Sequence, residues 1–131
     1  ALNGLPLQIF GDGEQTRDFT FVSDTARGMY LVCEKGKIGE IYNIARGEEV
    51  SINKLASLVL KTLGVKGTVE HLTARPGDVR RHYASPVKAR QKLAFKAEVG
   101  ILQGLRKYAD WFNKEMPNPK DALKFYEAEN W

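Results

Sequence analysis

The sequence contains a single cysteine, Cys33, among its 131 residues. One cysteine excludes an intramolecular disulfide and is typical of a protein that works in a reducing compartment. No apolar run approaches the roughly 18 residues that a membrane-spanning helix requires. Residues 1–6 lack the basic and hydrophobic regions of a secretory signal. We therefore expect a cytoplasmic protein that does not associate with a membrane.

Histidine is also scarce, since His71 and His82 are the only two. Together with Cys33 they give none of the ligand spacings found in zinc sites. No sequence order typical of a Ser-His-Asp or Cys-His catalytic group is evident either. We therefore predict no metal site and no catalytic residue in this chain, and we interpret Cys33 as a small core residue.

Charged side chains are plentiful and slightly unbalanced, with 20 Lys and Arg against 16 Asp and Glu, which gives a formal charge of +4. Hydrophobic residues make up 43% of the chain, a proportion typical of a globular protein. The length suits a single domain over residues 1–131. A mildly basic domain fits an anionic small ligand, but it also fits a nucleic acid or an acidic surface. Composition leaves these alternatives open.

Hydrophobic periodicity predicts a small mixed α/β domain of short strands and about five helices. Alternating residues predict strands over 7–10, 17–22 and 68–73, and the compact apolar segment 41–45 predicts a strand buried on both faces. Apolar spacing and capping residues predict the helices: from Ser23 or Asp24 to Gly36, from Ser51 to Gly64, from Pro86 to Leu93, over 102–112 and over 121–129. The apolar positions of the first helix, which we expect to face the core, include Ala26, Met29, Tyr30, Val32 and Cys33.

Two glycine-containing turns each combine an arginine with a carboxylate. The segment 11–19 contains Arg17 and Asp18, and the segment 75–78 reads Arg-Pro-Gly-Asp, which fits a type II turn. A guanidinium matches two phosphate oxygens, and a nearby aspartate accepts hydrogen bonds from sugar hydroxyls. Two such turns converging on one cleft would hold a diphosphate linked to a sugar. Each turn alone is better explained by solvated surface charges, and only the two together suggest an anion pocket.

The Gly11-x-Gly13 sequence does not complete a dinucleotide-binding turn. The third glycine of that fingerprint would fall at Thr16. The next predicted element is a strand, so no helix N-terminus follows to bind a pyrophosphate. The segment 64–68 likewise has the wrong spacing for a Walker loop.

Four sequence blocks resemble, in order and spacing, the C-terminal lobe of the extended short-chain dehydrogenase/reductases. These are NAD-dependent nucleotide-sugar epimerases and dehydratases, and UDP-glucose 4-epimerase is the type that the blocks resemble most. The blocks are Leu-Gln-Ile-Phe-Gly-Asp-Gly-Glu-Gln-Thr-Arg-Asp-Phe at 7–19, Tyr-Asn-Ile-Ala-Arg-Gly-Glu-Glu-Val-Ser-Ile at 42–52, Arg-Pro-Gly-Asp at 75–78, and 84–95 with its Ala-Ser-Pro-Val-Lys-Ala and Leu-Ala-Phe. The resemblance extends to about Phe112.

The resemblance implies a set of substrate-binding residues: Gln8, Phe10, Arg17, Arg75, Asp78 and His82. The strand containing Gln8 and Phe10 would lie along the nucleotide base, mostly through backbone groups. Arg17 and Arg75 would grip the diphosphate, and Asp78 would accept hydrogen bonds from the ribose. His82 would face the hexose, where side-chain size influences which sugars fit.

The resemblance also implies a missing part. Family members use a Tyr-x-x-x-Lys pair and NAD bound by a Rossmann domain, whereas none of the five tyrosines here is followed by lysine four residues later. We therefore expect no catalysis by this chain unaided and no binding of NAD to it alone. The family places the strand from Tyr42 to Ala45 in a sheet beside the missing half. An isolated lobe should then expose apolar surface and self-associate.

Three hypotheses follow for the function. The first is the UDP-sugar-binding or related NDP-sugar-binding portion of an NAD-dependent epimerase or dehydratase. The second is a stand-alone nucleotide-sugar-binding module. The third is a basic nucleic-acid-binding domain, disfavoured because the sequence holds no known nucleic-acid-binding motif and its aromatic residues fall mainly on predicted core faces. It would use Arg75, Arg80, Arg81, Lys88, Arg90 and Lys92.

Overall fold

A computed structural model describes residues 1–125 of the chain. The elements, in order, are β1 (Leu7–Phe10), β2 (Thr16–Asp18), α1 (Val22–Lys35), β3 (Glu49–Ser51), α2 (Ile52–Leu63), β4 (Val69–Leu72), β5 (Arg81–His82), α3 (Val87–Leu93), α4 (Ile101–Glu115) and a 3-10 helix (Pro119–Phe125). The predicted fold class, a small mixed α/β structure of short strands and five helices, is confirmed. The helix predicted over 121–129 is replaced by the 3-10 helix, and residues 126–129 lie outside the described part of the chain.

The strands form two small sheets. β1 pairs in parallel with β4, and β2 lies between antiparallel β3 and parallel β5. In the second sheet Arg17 is the register partner of Val50 on one side and of His82 on the other. Because register fixes neighbours across strands, this sheet positions Arg17 beside β5.

The ends of α2 follow the sequence prediction. The Ser51 hydroxyl accepts a hydrogen bond from the backbone N–H of Lys54 at 3.2 Å, and Gly64 ends the helix with a left-handed φ of 66°. α3 begins one residue later than predicted, since Pro86 precedes its first residue, Val87. Local capping chemistry was therefore sufficient to locate both ends of α2.

The start of α1 differs from the prediction. The strand predicted over 17–22 ends at Asp18, and Phe21 occupies the N-cap position without a side-chain cap. Asp24 is buried within the first turn and accepts hydrogen bonds from the backbone N–H groups of Glu98 (3.0 Å) and Val99 (2.9 Å). The predicted cap at Ser23 or Asp24 is therefore wrong, because Asp24 instead joins α1 to the segment that precedes α4.

The charge of Asp24 is kept despite its burial. Burial raises the pKa of Asp24, but the hydrogen bonds from Val99, Glu98 and Arg27 outweigh this effect and lower the pKa below its usual value. The Arg27 guanidinium lies 2.9 Å from the carboxylate and also stacks over Phe95. This network anchors α1 against the core.

The core is centred on Ala89, Leu93 and Phe95, which are buried. The partly buried residues packed against it are Leu31, Val32, Tyr42, Ile44 and Ala97. Gly28 allows close contact at this point, since a Cβ atom added there would lie 2.3 Å from Cγ2 of Ile44. The core therefore lies between α1, α3 and the 42–45 segment.

Two predictions of burial are wrong. Segment 41–45 forms no strand among residues 1–125, and Ile41 is 82% exposed. On α1 the side chains of Met29, Tyr30 and Cys33 are exposed, whereas Asp24 and Gly28 are buried. Periodicity identified the apolar positions of α1, but of those five only Val32 packs against the core within the described part of the chain. Within that part, no helix combines the length and apolarity that crossing a membrane would require.

Candidate functional site

The predicted Arg-Pro-Gly-Asp turn forms between β4 and β5. The backbone N–H of Asp78 donates to the carbonyl of Arg75 at 3.3 Å, and Gly77 adopts a φ of 76°. These features match the type II turn expected from the sequence. The turn presents both of its charged residues at the surface.

Arg17 is the centre of the candidate site. Its guanidinium donates to the Asp78 carboxylate, to the carbonyl of Val79 at 2.9 Å and to the carbonyl of Thr16 at 2.8 Å. The Arg17 and Asp78 side chains remain 23% and 30% exposed. Since His82 is the register partner of Arg17, the structure brings together three of the six predicted residues.

The other predicted residues lie on or over β1. The Arg75 guanidinium lies 3.9 Å from the centre of the Phe10 ring, a cation–π contact. Gln8 occupies the exposed side of the same strand. The predicted set therefore divides into one group around Phe10 and another around Arg17, and the 75–78 turn contributes one charged residue to each.

Two ion pairs near Arg17 were not predicted from the sequence. Arg80 donates to both carboxylate oxygens of Asp12, at 2.7 and 2.8 Å, and this contact, followed by the Glu14 N–H, lowers the pKa of Asp12. Arg81 binds the Glu49 carboxylate through contacts of 2.6 to 2.8 Å. These pairs join residues 68 and 32 positions apart in the sequence, so no local sequence pattern could have revealed them.

Glu49 is held in its ionised form. The Arg81 hydrogen bonds, followed by one from the Thr16 hydroxyl at 2.7 Å, lower the pKa of Glu49 to about 2. The same carboxylate raises the pKa of the Arg81 guanidinium. Glu49 therefore ties β3 and β5 to the strand that carries Arg17.

A pocket of about 180 Å³ opens beside Arg17 and His82. Its further lining residues are Asp18, Thr20, Ile44, Ala45, Tyr83 and Ala84. One carboxylate oxygen of Asp18 accepts from the backbone N–H of Gly47 at 2.8 Å, and the other is buried with no hydrogen-bond partner among residues 1–125. Asp18 was named with Arg17 in the first turn, but the resemblance assigned it no role, and Tyr83 was not predicted as a site residue although it is adjacent to His82.

Neither a metal site nor a fit to a dinucleotide is found in this region. No group of three His, Cys, Asp or Glu residues within 1–125 could hold a metal ion. Gly11 and Gly13 have positive φ angles of 79° and 74°, but the turn they form leads into β2. The turn therefore does not open a helix as a dinucleotide-binding turn does, although the N–H of Asn53, in the first turn of α2, donates to the Gly13 carbonyl at 2.9 Å.

The sequence and the fold are similar to those of one class of protein, the extended short-chain dehydrogenase/reductases, whose members include nucleotide-sugar epimerases and dehydratases. The sequence profile of the family described as GDP-mannose 4,6 dehydratase matches residues 1–108. The chain belongs to this family.

Characterised relatives include both epimerases and dehydratases. The chain is 35% identical over 108 residues to the UDP-glucuronate 4-epimerase of Thermodesulfobacterium geofontis, covering 81% of this chain and 33% of that protein. It is 32% identical over 120 residues to the dTDP-glucose 4,6-dehydratase of Salmonella typhimurium, covering 86% and 33%. The chain thus spans about one third of the length of these relatives.

Solved structures share the fold of this chain. The UDP-glucose 4-epimerase of Thermotoga maritima, crystallised with UDP-glucose, superposes with a TM-score of 0.84 at 34% identity, covering 88% of this chain and 37% of that one. The UDP-glucuronic acid 4-epimerase of Bacillus cereus, in complex with UDP-glucuronic acid and NAD, gives a TM-score of 0.81 at 36% identity, covering 87% and 37%. The similarity again corresponds to little more than a third of each enzyme.

Proposed function

We propose that this chain is the nucleotide-sugar-binding part of an NAD-dependent epimerase or dehydratase, with a UDP-sugar or a related NDP-sugar as ligand. The observation that carries this proposal is the meeting of Arg17, Asp78 and His82 where β2 pairs with β5. It combines a cation for phosphate, a carboxylate for hydroxyl groups and a side chain that can contact a sugar.

The two groups of predicted residues suggest how such a ligand would lie. The pocket beside His82 is smaller than the roughly 300–1,000 Å³ typical of pockets for drug-sized ligands. It therefore suits one sugar ring rather than a whole nucleotide-sugar. The diphosphate would then extend past Arg17 and the 75–78 turn to Arg75, and the base would lie along the strand of Gln8 and Phe10.

We further propose that this chain does not catalyse the family's reaction by itself. NAD, when bound in such enzymes, accepts and returns a hydride, and that reaction needs a cofactor and a base positioned against the sugar. The chain contains no Tyr-x-x-x-Lys pair, and the Gly11–Gly13 turn does not fit a dinucleotide. The part of the longer relatives that this chain does not match would supply both.

A calorimetric titration with UDP and UDP-glucose tests the proposal. Arg17→Ala and Arg75→Ala should each weaken UDP binding by about tenfold or more, since a hydrogen bond to a charged group contributes about 1.5–3 kcal/mol. Arg106→Ala is the matched control because this arginine is exposed on α4, away from both groups. UDP binding that survives both site substitutions unchanged would overturn the proposed role of these arginines.

The two alternative functions can be separated in the same experiment. A stand-alone binding module should bind UDP as a monomer. A nucleic-acid binder should instead bind a DNA duplex with an affinity that falls steeply as salt is raised. The structure gives the latter little support, because three of its six basic residues are paired with carboxylates: Arg80 with Asp12, Arg81 with Glu49 and Lys88 with Glu40.

A further inference from the structure

We propose that Asp78 is a built-in competitor for the anion that binds Arg17, and that it thereby makes the site selective for ligands carrying both a phosphate and a ribose. This inference rests on the proposed function and concerns the selectivity of the same site. It assigns to Asp78 a role in the ligand-free protein in addition to its expected contact with ribose.

Both terminal nitrogens of the Arg17 guanidinium already donate hydrogen bonds within the chain. One terminal nitrogen, Nη1, donates to the carbonyls of Thr16 and Val79, and the other, Nη2, donates to the Asp78 carboxylate. The carbonyl contacts hold the guanidinium in place, so an anion that binds at Nη2 competes there with the Asp78 carboxylate. Both side chains remain partly exposed, and a ligand can therefore reach this pair from solvent.

A simple anion and a nucleotide differ in what they offer Asp78 after displacement. Pyrophosphate would take the cation and leave the carboxylate beside a new negative charge, which is unfavourable. A nucleotide would take the cation with its phosphate and offer ribose hydroxyls as donors to the carboxylate. The loss of the internal pair is therefore compensated only when phosphate and ribose arrive together.

The location of Asp78 permits this exchange of partners. It is the last residue of an exposed turn, where its N–H contacts the carbonyl of Arg75 and Gly77 has a left-handed φ. The side chain can rotate from Arg17 towards a ligand without disturbing the core.

Asp78→Asn tests the inference, with Asp12→Asn as the matched control. Both substitutions remove one negative charge from an Arg–Asp pair on this face, but Asp12 pairs with Arg80 and has no proposed contact with ligand. Calorimetry would measure the binding of pyrophosphate and UDP to the wild-type chain and to both variants. Circular dichroism and thermal melting would verify folding, and Asp78→Ser provides a second variant at the same position.

We expect Asp78→Asn to bind pyrophosphate about two- to fivefold more tightly, the range expected for removing a partly exposed ion pair. UDP should bind less tightly, so the preference for UDP over pyrophosphate should fall by about fivefold or more. A residue with a merely structural role would weaken both ligands together. Asp12→Asn should leave this preference unchanged.

Unchanged or weaker pyrophosphate binding in the Asp78 variants would overturn the inference, even if UDP binding confirms the proposed function. An equal gain in Asp12→Asn would also overturn it, because the effect would then reflect overall charge. If the wild-type chain does not bind UDP, the proposed function fails for this chain. The difference in pyrophosphate affinity between Asp78→Asn and the wild type would still decide whether Asp78 competes with the anion for Arg17.

Discussion

Glu49 is the acceptor at which three strands of the second sheet meet. It lies on β3, accepts from the Thr16 hydroxyl on β2 and from Arg81 on β5. These hydrogen bonds lower the pKa of Glu49 from 4.5 to about 2. The carboxylate is therefore more stable in its ionised form in the folded chain than in the unfolded one.

The stability supplied by Glu49 should depend on pH. Because its pKa is lower in the folded state, this contribution is present above about pH 4.5 and is lost as the pH falls towards about 2. Glu49→Gln should lower the melting temperature at pH 6, and its difference from the wild type should shrink at pH 2.5. Thermal melts at both values would measure this. Glu70→Gln, on exposed β4, is the control, and a difference at Glu49 that does not change with pH would contradict the expectation.

The residue types of the site were predictable from sequence, but their pairing was not. Two turns with arginine and aspartate indicated an anion site, and the resemblance to a known family assigned six residues to it. The contacts of Arg17 with Asp78 and of Arg81 with Glu49 depend on strand register over separations of 61 and 32 residues. No local pattern encodes such contacts.

Among the elements, α1 is positioned by a glycine rather than by a large side chain. Gly28 is buried, and a Cβ atom there would lie 2.3 Å from Ile44 Cγ2 and 3.1 Å from Phe95 Cε2. Its absence lets the helix approach segment 42–45 closely. Ile44 in turn lines the pocket beside Arg17.

Gly28→Ala should destabilise the fold although alanine favours helix formation by about 1 kcal/mol. The overlap with Ile44 would require repacking that costs about 1–3 kcal/mol or more, so we expect a net loss of stability in urea denaturation. Gly104→Ala is a helical control with a milder contact, 3.1 Å from Phe21 Cδ2, and should cost less. A Gly28→Ala protein that is more stable than the wild type would contradict this expectation. It would show that segment 42–45 can shift to make room for the added methyl group.

The predictions of helices and strands succeeded where the sequence signal was local. In α2 the apolar positions, the Ser51 cap and the Gly64 terminus all lie within one continuous segment, and the sequence predicted both ends of this helix correctly. The strand predicted over 41–45 does not form in the described part of the chain, because a strand needs backbone partners from a neighbour. The described residues supply none there.

At the scale of the whole molecule, the most exposed apolar side chains lie on one helix and the segment that follows it. They include Val22, Met29 and Tyr30 on α1, and Ile38 and Ile41 beyond it. A surface of this kind is unusual for an isolated monomer and is typical of a contact face. We propose that the remainder of a longer family member covers it, or a second copy of this chain when that remainder is absent.

The 131-residue chain should therefore self-associate in sedimentation experiments at concentrations on the order of 100 μM, and the double variant Met29→Glu/Ile41→Glu should weaken the association by about tenfold or more. Introduced charges disfavour burial of this surface. Leu102→Glu, a similar change at an exposed residue of α4, is the control. A wild-type chain that stays monomeric over this range would refute the prediction.

Every residue from Thr73 to Tyr83 is exposed. This segment is attached to the rest of the chain chiefly by three ion pairs, by the contact of Arg75 with the Phe10 ring and by short backbone pairing. The ion pairs are Asp12–Arg80, Arg17–Asp78 and Glu49–Arg81. Such an attachment buries little apolar surface, so the segment can open locally while the core stays folded. Its amide hydrogens should exchange with solvent well before those of α2, and faster as ionic strength screens the pairs. The segment proposed to contact the diphosphate and the ribose should thus open more readily than the core, and a bound ligand should slow the exchange of its amide hydrogens more than that of the amides in α2.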